Sequence, residues 1–202
     1  MKASAEERLL LPGPAGHLEV VLNDPGQDRR GLALIAHPHP LHGGSLDNKV
    51  VQTLAKTFFR QGCVAVRMNF RGVGASDGVF DAGHGETQDW LVVAQALRER
   101  FGHLPLSLAG FSFGAFVQAQ VTQELPPQRL VLVAPAVGRF PVPLVPEHTL
   151  IVHGEHDDVV PLAEVFDWAR PQGLAIVVLP GTGHFFHGKL VELAGVVQRW
   201  CP

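Results

Sequence analysis

Six short runs in this chain are almost wholly apolar: GLALIA (31–36), CVAVRMNF (63–70), LPLSLAG (104–110), RLVLVAP (129–135), HTLIVHG (148–154) and LAIVVLP (174–180). A strand with one wet face alternates polar and apolar residues. A run without that alternation must be covered on both faces. The cover is present in the sequence. Val51, Leu54, Ala55 and Phe58 fall at helical spacing, as do Trp90, Val93, Ala94 and Leu97. Leu162, Val165, Phe166 and Ala169 form a third stripe, and Leu190, Leu193, Ala194 and Val197 a fourth. Gly62 is placed to stop the first helix. Pro161 fits a first helical position and Pro171 an end. Glu86 and Asp89 lie where a helix start favours anions.

Strands alternating with helices require a mostly parallel sheet with helices on both faces. At the start, RLLL and HLEVVLN flank PGPAG, which predicts an antiparallel hairpin. The expectation is an α/β fold with about eight strands, one domain over residues 1–202. The segment AVGRFPVPLVPEH (136–148) carries three prolines and reads as a loop.

Composition narrows the function classes. Hydrophobic residues make up 46% and charged residues 17%, which places a chain of 202 residues among globular proteins. The formal net charge is −3 and the basic residues are scattered, so no nucleic-acid partner is expected. No apolar stretch is long enough to span a membrane. The opening MKASAEERLLLPGPAG is too short in apolar residues for a signal-peptide core. Cys63 and Cys201 stand far apart and form no disulfide framework or zinc pattern. A reduced, cytoplasmic protein is expected, with export by another route left open.

GFSFG (110–114) matches G-x-S-x-G, a serine on a sharp strand-to-helix turn. Such a turn lifts the Ser112 hydroxyl to the carboxyl edge of the sheet, where open α/β sheets bind ligands. A serine at neutral pH needs a base, and the base needs an orienting acid. For this topology the chain order is serine, carboxylate, histidine. HGEHDDVVP follows one strand and GTGHFFHG the next. Asp157 and His184 are the expected acid and base, with Asp158 and His187 as the competing neighbours. The plain alternative for Ser112 is a helix cap.

An oxyanion hole needs two backbone N–H groups. Phe113, directly after the serine, supplies one. The other comes from HPHPLHGGSLDNKVV, where Pro38 and Pro40 have no N–H to give. His39 is preferred, with Leu41 as runner-up. His37, His39 and His42 spell H-x-H-x-x-H, but no nearby carboxylate joins them. They read as loop histidines bonded to backbone, and no metal is expected. RGVGASDG (71–78) is a weak match to a dinucleotide loop and reads as a tight turn beside the site. Among 12 phenylalanines, Phe111, Phe113, Phe185 and Phe186 flank the proposed nucleophile and base. Phe111, Phe185 and Leu41 are taken as lining an acyl pocket.

Taken together, HPHP, GG, DNKVV, NFRGVGASDG, GFSFG, HGEHDDVVP and GHFFHG resemble a small lidless group of the α/β-hydrolase superfamily, from about Leu18 onward. The resemblance implies an α/β-hydrolase fold without a lid domain, a Ser112–Asp157–His184 triad and no cofactor. Asn69 and Phe70 stand where many members carry an acidic residue. Superfamily lids are usually inserted after the sixth strand, and the loop 136–148 is too small for one. The expected function is a serine carboxylesterase for short-chain esters of small-molecule acyl substrates, as a monomer or homodimer. A thioesterase or small peptidase of the same fold is the alternative, and a non-catalytic binding protein the alternative from another class.

Overall fold

The computed structural model describes residues 6–201. The strands are β1 (Glu6–Gly13), β2 (Gly16–Asn23), β3 (Gly31–Ala36), β4 (Cys63–Met68), β5 (Leu106–Phe111), β6 (Arg129–Val133), β7 (Thr149–Gly154) and β8 (Ile176–Leu179). They form one sheet in the order β1-β2-β4-β3-β5-β6-β7-β8. The hairpin β1–β2 is antiparallel and joins β4 antiparallel; β3 through β8 pair in parallel. Every residue of β3, β4, β5 and β7 is buried, as their unbroken apolar runs require.

Five α-helices cover the sheet: α1 (Lys49–Arg60), α2 (His84–Phe101), α3 (Phe113–Glu124), α4 (Leu162–Ala169) and α5 (Leu190–Trp200). Side chains of a strand alternate between faces, and the two cores sort accordingly. Val131 and Val133 pack with Val51 and Leu54 of α1 and Leu193 and Val197 of α5. Leu130 and Leu132 pack with Trp90 and Val93 of α2 and Val117 and Val121 of α3. Val165 and Ala169 of α4 rest on Ile151, on the side of α2 and α3. Asn48 caps α1 by accepting the Val50 and Val51 N–H groups at 2.9 and 3.4 Å. Gly62, with φ +86°, follows the end of that helix.

The helix boundaries differ in detail from those expected. Pro161 stands just ahead of α4, which begins at Leu162. Pro171 does not stop the chain's coiling but sits inside a 3-10 turn, Arg170–Gln172. Glu86 answers the expectation of a charge at the helix start, because its carboxylate accepts the Asp81 and Gly83 N–H groups. Asp89 does not. It is fully buried and holds Arg71 through two 2.8 Å bonds, to Nε and Nη2. The RGVGASDG turn is fastened to the hairpin rather than to the site: Ser76 Oγ accepts the Glu19 N–H and Asp77 accepts the His17 N–H. The N-terminal residues 1–5 lie outside the described part.

Candidate active site

Because β3, β5, β7 and β8 run in one direction, the loops that leave their carboxyl ends share one edge of the sheet. Ser112 follows β5, Asp157 follows β7, His184 follows β8 and His39 follows β3. Three loops far apart in sequence meet there. His184 Nε2 lies 3.1 Å from Ser112 Oγ, and His184 Nδ1 lies 2.7 Å from Asp157 Oδ2. All three residues are buried.

The turn that carries Ser112 explains its glycines. Ser112 has φ +56° and ψ −116°, a conformation that costs a non-glycine residue about 1–3 kcal/mol. Its N–H donates to the Val133 carbonyl at 2.9 Å, which ties the turn to β6. A Cβ on Gly114 would stand 2.4 and 2.5 Å from the His37 and Ala36 carbonyl oxygens. One on Gly110 would stand 2.2 Å from the Gly114 carbonyl oxygen. Both positions exclude any side chain, so α3 begins in backbone contact with the loop after β3.

Asp157 is held from both sides. Its Oδ1 accepts the Val159 and Val160 N–H groups at 2.9 and 2.7 Å, leaving Oδ2 for His184. Burial pushes its carboxyl upward, and the bonds from His184 and the Val160 N–H more than offset that, leaving it below the usual carboxylate range. The neighbours considered from sequence go elsewhere. Asp158 is exposed and lines the cleft, and His187 is exposed with its ring 5.9 Å from that of Phe185.

The loop after β3 is set by His37. This ring is fully buried; Nδ1 lies 2.7 Å from the Pro38 carbonyl oxygen and Nε2 accepts the Phe70 N–H at 3.0 Å. A carbonyl only accepts, so Nδ1 carries the proton and the ring is neutral. In a planar trans peptide the carbonyl and the N–H point opposite ways. Pinning the Pro38 carbonyl therefore aims the N–H of His39, which shares that peptide. Gly44 packs against the same carbonyl: a Cβ there would lie 2.1 Å from the Pro38 oxygen. The N–H groups of His39 and Phe113 have no protein acceptor among the described residues. The Leu41 N–H is already given to the His39 ring nitrogen Nδ1 at 3.2 Å, which removes the runner-up donor.

A cleft of about 710 Å³ opens over Ser112. His39 and Phe140 make its aromatic wall, backed by the fully buried Phe113 ring, which lies 5.0 Å from that of Phe140 and edge-on. Phe185, half exposed, faces the cleft as expected. Two expected lining residues do not. Phe111 is fully buried, because as the last residue of β5 its side chain turns into the α1/α5 core, where its ring lies 5.1 Å from that of His184. Leu41 is 68% exposed and points to solvent from the 3-10 turn Pro40–His42. Phe186 is likewise buried, with its ring 6.4 Å from that of Phe111. Sequence reasoning missed Phe140 and Arg139, which enter the cleft from the proline-rich loop. The signal was there in an aromatic residue beside Pro141, a poor choice for a purely solvated loop.

A sheet of this order, uncovered above its carboxyl edge, defines the class as an α/β hydrolase without a lid. An α/β serine hydrolase without a lid from Xanthomonas campestris superposes with a TM-score of 0.91 at 39% identity, covering 96% of this chain and 93% of that one. An α/β serine hydrolase homologue from Coxiella burnetii gives 0.89 at 40% identity, with 96% of both chains covered. An uncharacterized protein of Rickettsia prowazekii is 30% identical over 204 residues, 93% of this chain and 85% of that protein. The chain belongs to the family described as serine aminopeptidase, S33, whose model matches residues 39–147. It is a hydrolase by family and fold.

Proposed function

We propose that this hydrolase cleaves short-chain carboxylic esters through an acyl-serine intermediate. The observation that carries the reading is the unbroken line Ser112 Oγ, His184, Asp157, at 3.1 and 2.7 Å. In the first half-reaction His184 Nε2 takes the Ser112 proton as Oγ attacks the acyl carbon. The resulting oxyanion is received by the His39 and Phe113 N–H groups, each such donor contributing about 3 kcal/mol. His184 then gives its proton to the departing alkoxide, the ester C–O bond breaks, and the acyl group stays on Ser112. In the second half, water loses a proton to His184, attacks the same carbon, and the acid leaves with Ser112 reprotonated. Asp157 stabilises the imidazolium that forms twice in the cycle.

A peptidase reading of the same chemistry is favoured by the family description and by Asp158, the one carboxylate among the described residues that line the cleft, which suits a substrate ammonium group. Against it stands Arg139 in the same cleft. A fluorophosphonate probe tests the common mechanism: wild type is labelled and Ser112→Ala is not. A matched panel of p-nitrophenyl esters, thioesters and aminoacyl p-nitroanilides tests the substrate. Esters turning over fastest support the reading, and anilides turning over faster than esters replace it with the peptidase.

A further inference from the structure

A second histidine touches the proposed acid, and the mechanism above does not use it. His153, near the end of β7, is fully buried. Its Nε2 lies 2.9 Å from the Val160 carbonyl oxygen and 3.4 Å from Asp157 Oδ2, the same oxygen that binds His184. Its Nδ1 is buried and has no hydrogen-bond partner among the described residues. Both neighbours of Nε2 are acceptors, so Nε2 bears the ring proton and Nδ1 is a bare lone pair.

That lone pair destabilises the fold, since a buried polar atom without a partner has given up its bonds to water for nothing. An apolar ring would fill the same space without it. What the histidine adds is the bond at its other nitrogen. Asp157 Oδ1 gathers the N–H groups of residues 159 and 160, and His153 gathers the carbonyl of residue 160. The turn 157–160 is thus closed at both its N–H and its C=O side, with the carboxylate at its centre.

We propose that His153 is a positioning residue for the Asp157–His184 pair: its Nε2–H closes the turn after β7, so that Oδ2 stays aimed at the imidazole. The inference rests on the serine-hydrolase reading of Ser112. Burial keeps the His153 ring neutral, against the opposing pull of the Val160 carbonyl and Asp157, while the nearby His184 acts in the same direction as burial. Neutrality matters here. A neutral ring presents Oδ2 with an N–H dipole only, whereas a charged one would compete with His184 for the carboxylate. The charged and titratable groups facing His153 are Asp157 and His184.

The test compares three variants of the whole chain on p-nitrophenyl butyrate. His153→Phe removes the N–H. His153→Gln places an amide N–H within reach of the Val160 carbonyl. His153→Asn is shorter by one methylene and falls short of it. We expect Phe and Asn to lower kcat about tenfold or more with KM little changed, and Gln to restore kcat to within about threefold of wild type. The acid limb of kcat/KM moves to lower pH in Phe and Asn, because a misaimed carboxylate stabilises the imidazolium less. The downfield proton resonance of the His184–Asp157 bond shifts or broadens in those two and holds in Gln. Should Phe not fold, Asn against Gln decides. Equal kcat and an unmoved acid limb in Asn and Gln overturn the proposal, as does a Gln variant as impaired as Asn. Wild type labelled at Ser112 by a fluorophosphonate shows that the underlying reading stands while this one is judged. An unlabelled wild type ends both.

Discussion

His37 Nε2 accepts the Phe70 N–H at 3.0 Å, inside a core that leaves the ring no exposure. A proton on that nitrogen would abolish the bond and bury a charge. Burial accordingly pushes the ring down to about 4, against the pull of the Pro38 carbonyl. In the unfolded chain a histidine takes up its proton near pH 6.5. Between those values the unfolded state binds more protons than the folded one, so stability rises with pH. The stabilisation is complete above pH 6.5 and falls away as pH drops toward 4, by about 3 kcal/mol for this ring. Urea unfolding at pH 7.5, 6 and 5 measures the slope. His37→Gln flattens it; a variant whose slope parallels wild type places the effect elsewhere.

Asp157 and Asp158 are adjacent, yet one is buried against His184 and the other exposed in the cleft. Asp157→Asn keeps the shape but favours the wrong imidazole tautomer. Its kcat falls about 10³- to 10⁴-fold. Asp158→Asn stays within about threefold on neutral esters, since an exposed carboxylate contributes little. Steady-state kinetics of the two variants decide; similar losses in both contradict the assignment.

Arg71 and Asp89 form a buried pair, with side-chain exposures of 11% and 0%. Arg71→Leu leaves the carboxylate buried without its cation, which costs about 3–5 kcal/mol. Neither residue lines the cleft over Ser112. The melting temperature therefore falls sharply while specific activity, measured well below it, is retained. A melting curve that superposes on wild type removes the pair from the stability of the fold.

The cleft offers aromatic walls close to Ser112 and, among the described residues, no cover beyond them. Remote parts of a long substrate find little to bind, so they add little to transition-state stabilisation. Rates on p-nitrophenyl esters peak at or below an acyl length of about eight carbons. Phe140→Ala opens the wall and moves the peak to longer chains. A wild-type rate that climbs steadily past eight carbons contradicts the open-cleft reading.

The sheet was legible because burial on both faces writes itself as continuous apolar runs. The triad candidates were legible because each follows such a run, and GFSFG constrains backbone as well as chemistry. Phe111 was misplaced since adjacency to Ser112 says nothing about which face of β5 a side chain takes. Leu41 failed for a related reason: a 3-10 turn rotated it outward. Asp89 resembled a helix-start charge because its partner, Arg71, is 18 positions back in the chain. His37 and His153 were beyond reach as individuals. Spacing cannot separate them from the other nine histidines; burial and the backbone groups they bond to do.

The loop between β6 and β7 brings Phe140 and Arg139 to the cleft, while the proposed nucleophile, base, acid and both amide donors stand on loops after other strands. Part of the cleft wall is therefore supplied by a loop that carries none of the proposed catalytic groups, and the rest by Asp158, Phe185 and His39 on loops that do. Residues 136–148 thus serve as a lining segment rather than a source of proposed catalytic groups: a change at Phe140 acts on the walls of the entrance, while a change at Arg139, which donates to the Val159 carbonyl at 3.1 and 2.9 Å, reaches the turn that holds Asp157 as well.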